Sequence, residues 1–169
     1  MGGHVVKMER LRSLFEGLGF AEVETFIASG NVIFRTGEQD TQSLEAQIAR
    51  GLEEALGYEV ATFIRTEAEL AQIAAYEAFP PAQLEAATAY NIAFLHERLD
   101  DQSKQILMGL QTEIDAFAVH ATEVYWLCQK KQSESTFSNA VLEKKLRVKS
   151  TIRGVATIQK LAKKLEASQ

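Results

Sequence analysis

One cysteine, two prolines and one tryptophan in 169 residues set the first limits on this chain. A single thiol, Cys128, excludes an intrachain disulfide and a thiolate metal cluster. The prolines, Pro80 and Pro81, are adjacent, so the strongest breaker of helices and strands acts at one point. No apolar run approaches the ~20 residues needed to cross a bilayer, and no secretory leader is visible. The three histidines, His4, His96 and His120, are far apart. Neither HExxH, paired cysteines nor a dense carboxylate cluster offers a metal site, and Gly2-Gly3-His4 lacks the length and lysine spacing of a phosphate loop. The residues predict no metal, no cofactor and no membrane span, and a cytoplasmic location is expected.

What is present is ordinary for a globular chain, with 46% hydrophobic and 24% charged residues. The charge is unevenly placed. From Lys130 onward ten Lys or Arg face three Glu, a balance of +7, whereas Met1–Gln129 carries eight basic and twenty acidic residues, a balance of −12. A basic tail can meet an acidic partner or nucleic acid, or dock on its own acidic body. Interleaved aromatics are missing from the tail, which disfavours nucleic acid.

The stretch Glu22–Arg35 reads as a β-hairpin: Val23-Thr25-Ile27 and Val32-Phe34 alternate on either side of Ser29-Gly30-Asn31. Before it, Met8, Leu11, Leu14, Phe15 and Leu18 recur at helical spacing, and Gly19 is a natural stop. After it, Leu44, Ile48, Leu52 and Leu56 stripe a helix that Thr41 or Ser43 caps and Gly57 ends. Tyr58–Arg65 alternates and predicts a strand; Glu67–Tyr76 predicts a helix. The cut falls at 79–87, where the proline pair interrupts regular structure. Beyond it come a strand at Tyr90–His96, a helix from Asp100 or Asp101, and a second hairpin from Ile114–His120 and Glu123–Lys130. Two helices, at Phe137–Leu146 and Val155–Leu165, finish the chain, with a flexible joint of serines and lysines between them. The expected fold is α+β: two ferredoxin-like (split βαβ) halves with antiparallel sheets and helices on one face, then a basic helical tail. The halves are 1–78 and 88–169, joined by 79–87, and the first lacks its opening strand.

At Gly2-Gly3-His4, Lys7-Met8, Leu18-Gly19-Phe20 and above all Ser29-Gly30-Asn31-Val32-Ile33-Phe34, the chain resembles the bacterial domain-of-unknown-function family number 1697. The resemblance returns at Ser138-Asn139, Leu142-Glu143-Lys144 and Thr151-Ile152-Arg153. It implies a two-part α+β structure and no particular reaction. Members typically open on a strand ending Leu-Arg-Gly-Ile-Asn-Val-Gly-Gly, of which Met1-Gly2-Gly3 remains. The expectation is that Met1 is an internal methionine or that the chain was trimmed. Many members also carry Thr-x-Arg-Asn-Trp-Asn-Thr near the end. Here Thr151, Arg153 and Thr157 persist, while Gly154, Val155 and Ala156 replace the central Asn-Trp-Asn.

The candidate ligand-binding residues are Ser29 and Asn31, at a hairpin tip whose backbone N–H groups can form an anion nest, and Thr151 and Arg153, before a helix N-terminus. Plain turn chemistry and a surface arginine in an N-cap region are the competing readings. Cys128 sits in an apolar run, where a thiol is usually inert core, and His120 is its nearest candidate base. Trp126 with Tyr125 could stack on bases, although alternation sends the two rings to opposite faces. The function expected is a non-enzymatic ligand- or partner-binding domain of a bacterial cytoplasmic protein, with a small anionic ligand. The alternative is an enzyme acting on a small anionic or nucleotide-like substrate, with His4 or Lys7 beside the cleft. A homodimer through an open sheet edge is the third reading.

Overall fold

Asp40 opens the longest helix of the chain, its carboxylate accepting from the N–H groups of Gln42 and Ser43, and Gly57 closes it with φ 83°. That computed structural model describes residues 6–26 and 30–167. In it the chain divides into two units, Met1–Thr66 and Glu67–Gln169.

The first unit follows the predicted order: helix α1 (Met8–Gly17), strands β1 (Ala21–Thr25) and β2 (Val32–Arg35), and helix α2 (Thr41–Leu56). The cap of α2 is Asp40 rather than Thr41 or Ser43, because a carboxylate can take two of the orphan N–H groups. The two strands pair antiparallel, Thr25 opposite Val32 and Glu24 opposite Ile33, with an irregularity at Glu22, whose φ is 50°. Leu11 and Phe15 of α1, Val23 of β1, and Leu44, Ile48 and Leu52 of α2 form one core with Phe20 and Val60. Phe34 closes it, its ring centroid 4.5 Å from that of Phe20 and 5.6 Å from that of Phe15. The predicted strand at 58–65 joins neither sheet among the described residues. In this segment Val60 is buried, and Ile64 N–H donates to the Glu45 carboxylate at 2.8 Å.

The second unit begins with α3 (Glu67–Ala75), ahead of the expected 79–87 junction. The reason is packing. The Tyr125 hydroxyl donates to Ile73 O at 2.9 Å, which fastens α3 to the sheet of this unit. The proline pair interrupts nothing, because Pro81 takes the first position of a short helix, α4 (Pro81–Ala86), where a missing N–H is harmless. Then come β3 (Ala89–Leu95), α5 (Asp101–Met108), β4 (Asp115–His120), β5 (Glu123–Cys128), α6 (Asn139–Leu146), β6 (Ser150–Gly154) and α7 (Val155–Ala167). The sheet order is β4-β5-β3-β6, with every neighbouring pair antiparallel. The fold is α+β, with two antiparallel sheets among the described residues.

Helices cover both faces of this larger sheet, where one face was expected. On one, Ala93, Leu95, Val124, Trp126 and Cys128 pack with Leu107 of α5 and Leu142 and Leu146 of α6. On the other, Tyr90 and Tyr125 meet Phe79 and Tyr76, while α7 packs on α3, β3 and β6. Strand β6 replaces the expected flexible joint. A run of Lys and Ser conceals a strand because β6 takes its order from β3, with Thr151 opposite Phe94 and Arg153 opposite Ile92. No helix among the described residues is long and apolar enough to cross a membrane.

Candidate functional site

Strand alternation decides the geometry at Thr151 and Arg153. Two residues apart on β6, they project from the same face, and the Arg153 Nη1 donates to Thr151 Oγ1 at 2.6 Å and to Ile152 O at 2.9 Å. Both residues are half-buried. Burial pushes the Arg153 guanidinium below its ordinary pKa, since a cation loses hydration there. Arginine keeps its charge regardless, so the site holds a fixed cation with a hydroxyl beside it. The Thr151 oxygen accepts from Arg153, which leaves its hydrogen to donate elsewhere.

Strand β6 passes into α7 at Gly154–Val155 without a loop. A Cβ at position 154 would stand 3.8 Å from Asn91 Oδ1 and 3.9 Å from Thr157 Oγ1, so the junction lies close to two polar side chains. Asn91 is buried and donates from Nδ2 to Gln132 Oε1 at 3.3 Å. The N-terminal end of a helix carries a partial positive charge, and that of α7 starts two residues after Arg153.

The hairpin half of the expected site behaves differently. Asn31 Nδ2 donates to Phe26 O at 3.2 Å, and Phe26 N–H donates to Asn31 O at 3.0 Å, so the asparagine ties the neck of the hairpin. Gly30 adopts φ 81°, as its turn position requires. Ser29 and His4 lie outside the described residues. The structure brings Thr151 and Arg153 together, whereas Asn31 belongs to the other unit.

Other candidates are absorbed by the core. Cys128 is fully buried, and burial pushes its thiol up, away from the reactive thiolate. Its cross-strand neighbour is Asp115, whereas His120 stands opposite Glu123 at the far end of the same ladder, so the two cannot act as nucleophile and base. His120 instead stacks on Tyr76, centroids 3.9 Å apart at 12°. Trp126 and Tyr125 do face opposite sides, and each is 1% exposed, which removes them as a platform for bases. Among the described residues no group of three or more His, Cys, Asp or Glu is placed to hold a metal.

The polar centre that the sequence reading missed is Asp115. It is 3% exposed and accepts from Trp126 Nε1 at 2.8 Å, Thr112 Oγ1 at 2.8 Å, and Ser135 Oγ at 2.8 and 2.9 Å. Burial is the largest single influence and raises its pKa, but the hydrogen bonds from Trp126, Thr112 and Ser135 together outweigh it and hold the carboxyl below its ordinary value. An aspartate opening a strand as apolar as IDAFAVH was the available signal. A second lock joins α6 to β6. Asn139 Nδ2 donates to Ser150 O at 2.9 Å, Ser150 N–H donates to Glu143 Oε2 at 2.9 Å, and the side chains of Ser150 and Asn139 also bond to each other.

Several residues that carried the family resemblance, Ser138, Asn139 and Glu143, thus do structural work around β6, Ser138 capping α6 through Val141 N–H. A family model described as a protein of unknown function, DUF1697, matches residues 1–125. The chain belongs to that family. The DUF1697 match ends within β5, ahead of α6 and β6. A solved structure, the conserved bacterial protein SP0830 from Streptococcus pneumoniae, is similar over 95% of this chain and 89% of that one, with a TM-score of 0.74 and 20% identity. That likeness extends to the whole fold and speaks for the fold alone. No curated protein matches the chain.

Proposed function

We propose that this DUF1697 chain is a non-enzymatic binding domain of the bacterial cytoplasm. Its ligand is a small anion, or a nucleotide-like molecule held by its phosphate, at the junction of β6 and α7. The observation that carries the reading is the half-buried Arg153 guanidinium, braced by Thr151 beside the start of a helix 13 residues long. An anion there gains charge-assisted hydrogen bonds from Arg153 and Thr151 and the favourable end of the helix dipole. The order β4-β5-β3-β6 supports a ferredoxin-like second unit, whose outer strands β4 and β6 would offer edges to a second copy.

The test is a titration with inorganic phosphate and with nucleoside monophosphates, followed by amide chemical shifts and by the melting temperature. Shifts centred on Thr151–Thr157, abolished by Arg153→Ala and reduced by Thr151→Ala, are the expected result. Affinity that survives the Arg153→Ala, Thr151→Ala double change ends the assignment.

A further inference from the structure

The end of α6 presents its cations to solvent. Lys144, Lys145, Arg147 and Lys149 are all exposed, while Leu142 and Leu146 turn the opposite side of α6 into the core. Among the described residues, Lys144, Lys145 and Arg147 carry no side-chain hydrogen bond or ion pair; the ion pairs Arg12–Glu16 and Arg35–Glu22 both belong to the first unit. Arg147 is the most telling of the three. It ends α6 in the left-handed conformation, φ 54° and ψ 47°, with its N–H bonded to Glu143 O. That position favours glycine or asparagine, and a side chain there is strained. The chain therefore holds an arginine at a conformational cost that no contact of its side chain offsets.

We propose that the end of α6 and the turn into β6 are a docking surface for a short acidic segment of a partner protein. Charge complementarity selects the partner class. No large exposed apolar or aromatic side chain stands among residues 140–150, since the exposed large ones described are Tyr76, Ile106 and Met108; bases would have no ring to stack on. A short run of carboxylates ends where the cations end. The proposal does not depend on a ligand at Thr151 and Arg153.

The experiment is fluorescence anisotropy of the full chain with a labelled polyglutamate peptide, with labelled oligothymidylate as the competitor class. Peptide binding at low salt that weakens as salt rises is expected. Lys144→Glu with Lys145→Glu abolishes it, whereas Lys160→Glu with Lys163→Glu, on the exposed side of α7, leaves it within about twofold. Arg147→Gly separates function from folding: it raises the melting temperature and weakens peptide binding about threefold. Absence of peptide binding, tighter binding of oligothymidylate, equal loss on reversing the α7 lysines, or unchanged affinity in Arg147→Gly each overturns the proposal.

Discussion

Asp115 shows how one buried charge holds three segments. Its carboxylate gathers Trp126 from β5, Thr112 from the loop before β4 and Ser135 from the approach to α6. Hydrogen bonds to an ionised acceptor contribute about 1.5–3 kcal/mol each when a partner is removed. Asp115→Asn is therefore expected to cost about 2–3 kcal/mol at neutral pH, because an amide offers one acceptor where the carboxylate offered two. The folded pKa lies below the unfolded value, so this stability is complete above the unfolded pKa of about 3.9 and is lost as pH falls through the folded value. Urea unfolding of both proteins at neutral pH and near pH 3 checks it: the difference between them should shrink in acid. A constant difference would mean the carboxylate is not ionised in the fold.

At the scale of elements, β6 illustrates what a local reading cannot see. Its five residues, Ser150–Gly154, have no strand pattern of their own, yet they complete the sheet because Asn139 and Glu143 of α6 grip the backbone of Ser150. Asn139→Ala leaves a buried serine short of partners and is expected to destabilise the protein by about 1–3 kcal/mol, with amide exchange rising first along β6. Hydrogen exchange that stays protected at 150–154 would assign the lock to the β3–β6 ladder alone. The elements with strong internal signals appeared where expected. The stripe of α2, the stop at Gly57, the two hairpins and the aspartate cap of α5 all read directly from spacing and turn residues. The boundary between units did not, because α3 chooses its unit through Tyr125 and α7 rather than through chain proximity.

Over the whole molecule, apolar burial is divided between two cores. Leu11, Phe15, Ile48 and Leu52 belong to one; Leu95, Leu107, Trp126 and Leu142 belong to the other. Ile48 is 0% exposed, and Ile48→Ala should cost about 2–5 kcal/mol in its own core. Because that core lies in the first unit, amide protection is expected to fall in 6–66 while the β3–β5 ladder keeps its own. A uniform loss across both units would show a single cooperative transition instead. Charge is divided as well, +7 from Lys130 onward against −12 before it, and the proposed acidic partner would meet the cations at the exposed end of α6.

The sequence by itself determined the class of fold, the family and most helices and hairpins, since periodicity, glycine stops and aspartate caps act between residues close in the chain. It also singled out Thr151 and Arg153 as candidates, although their strand was hidden in a polar run. Tertiary structure decided the rest. It made Asn31 a hairpin tie, buried Trp126 and Tyr125 on opposite faces, separated Cys128 from His120, and stood Arg153 on an edge strand against a helix start. Each of these depends on which distant strand pairs with which, and pairing is set by the burial of whole faces rather than by any residue's neighbours in sequence.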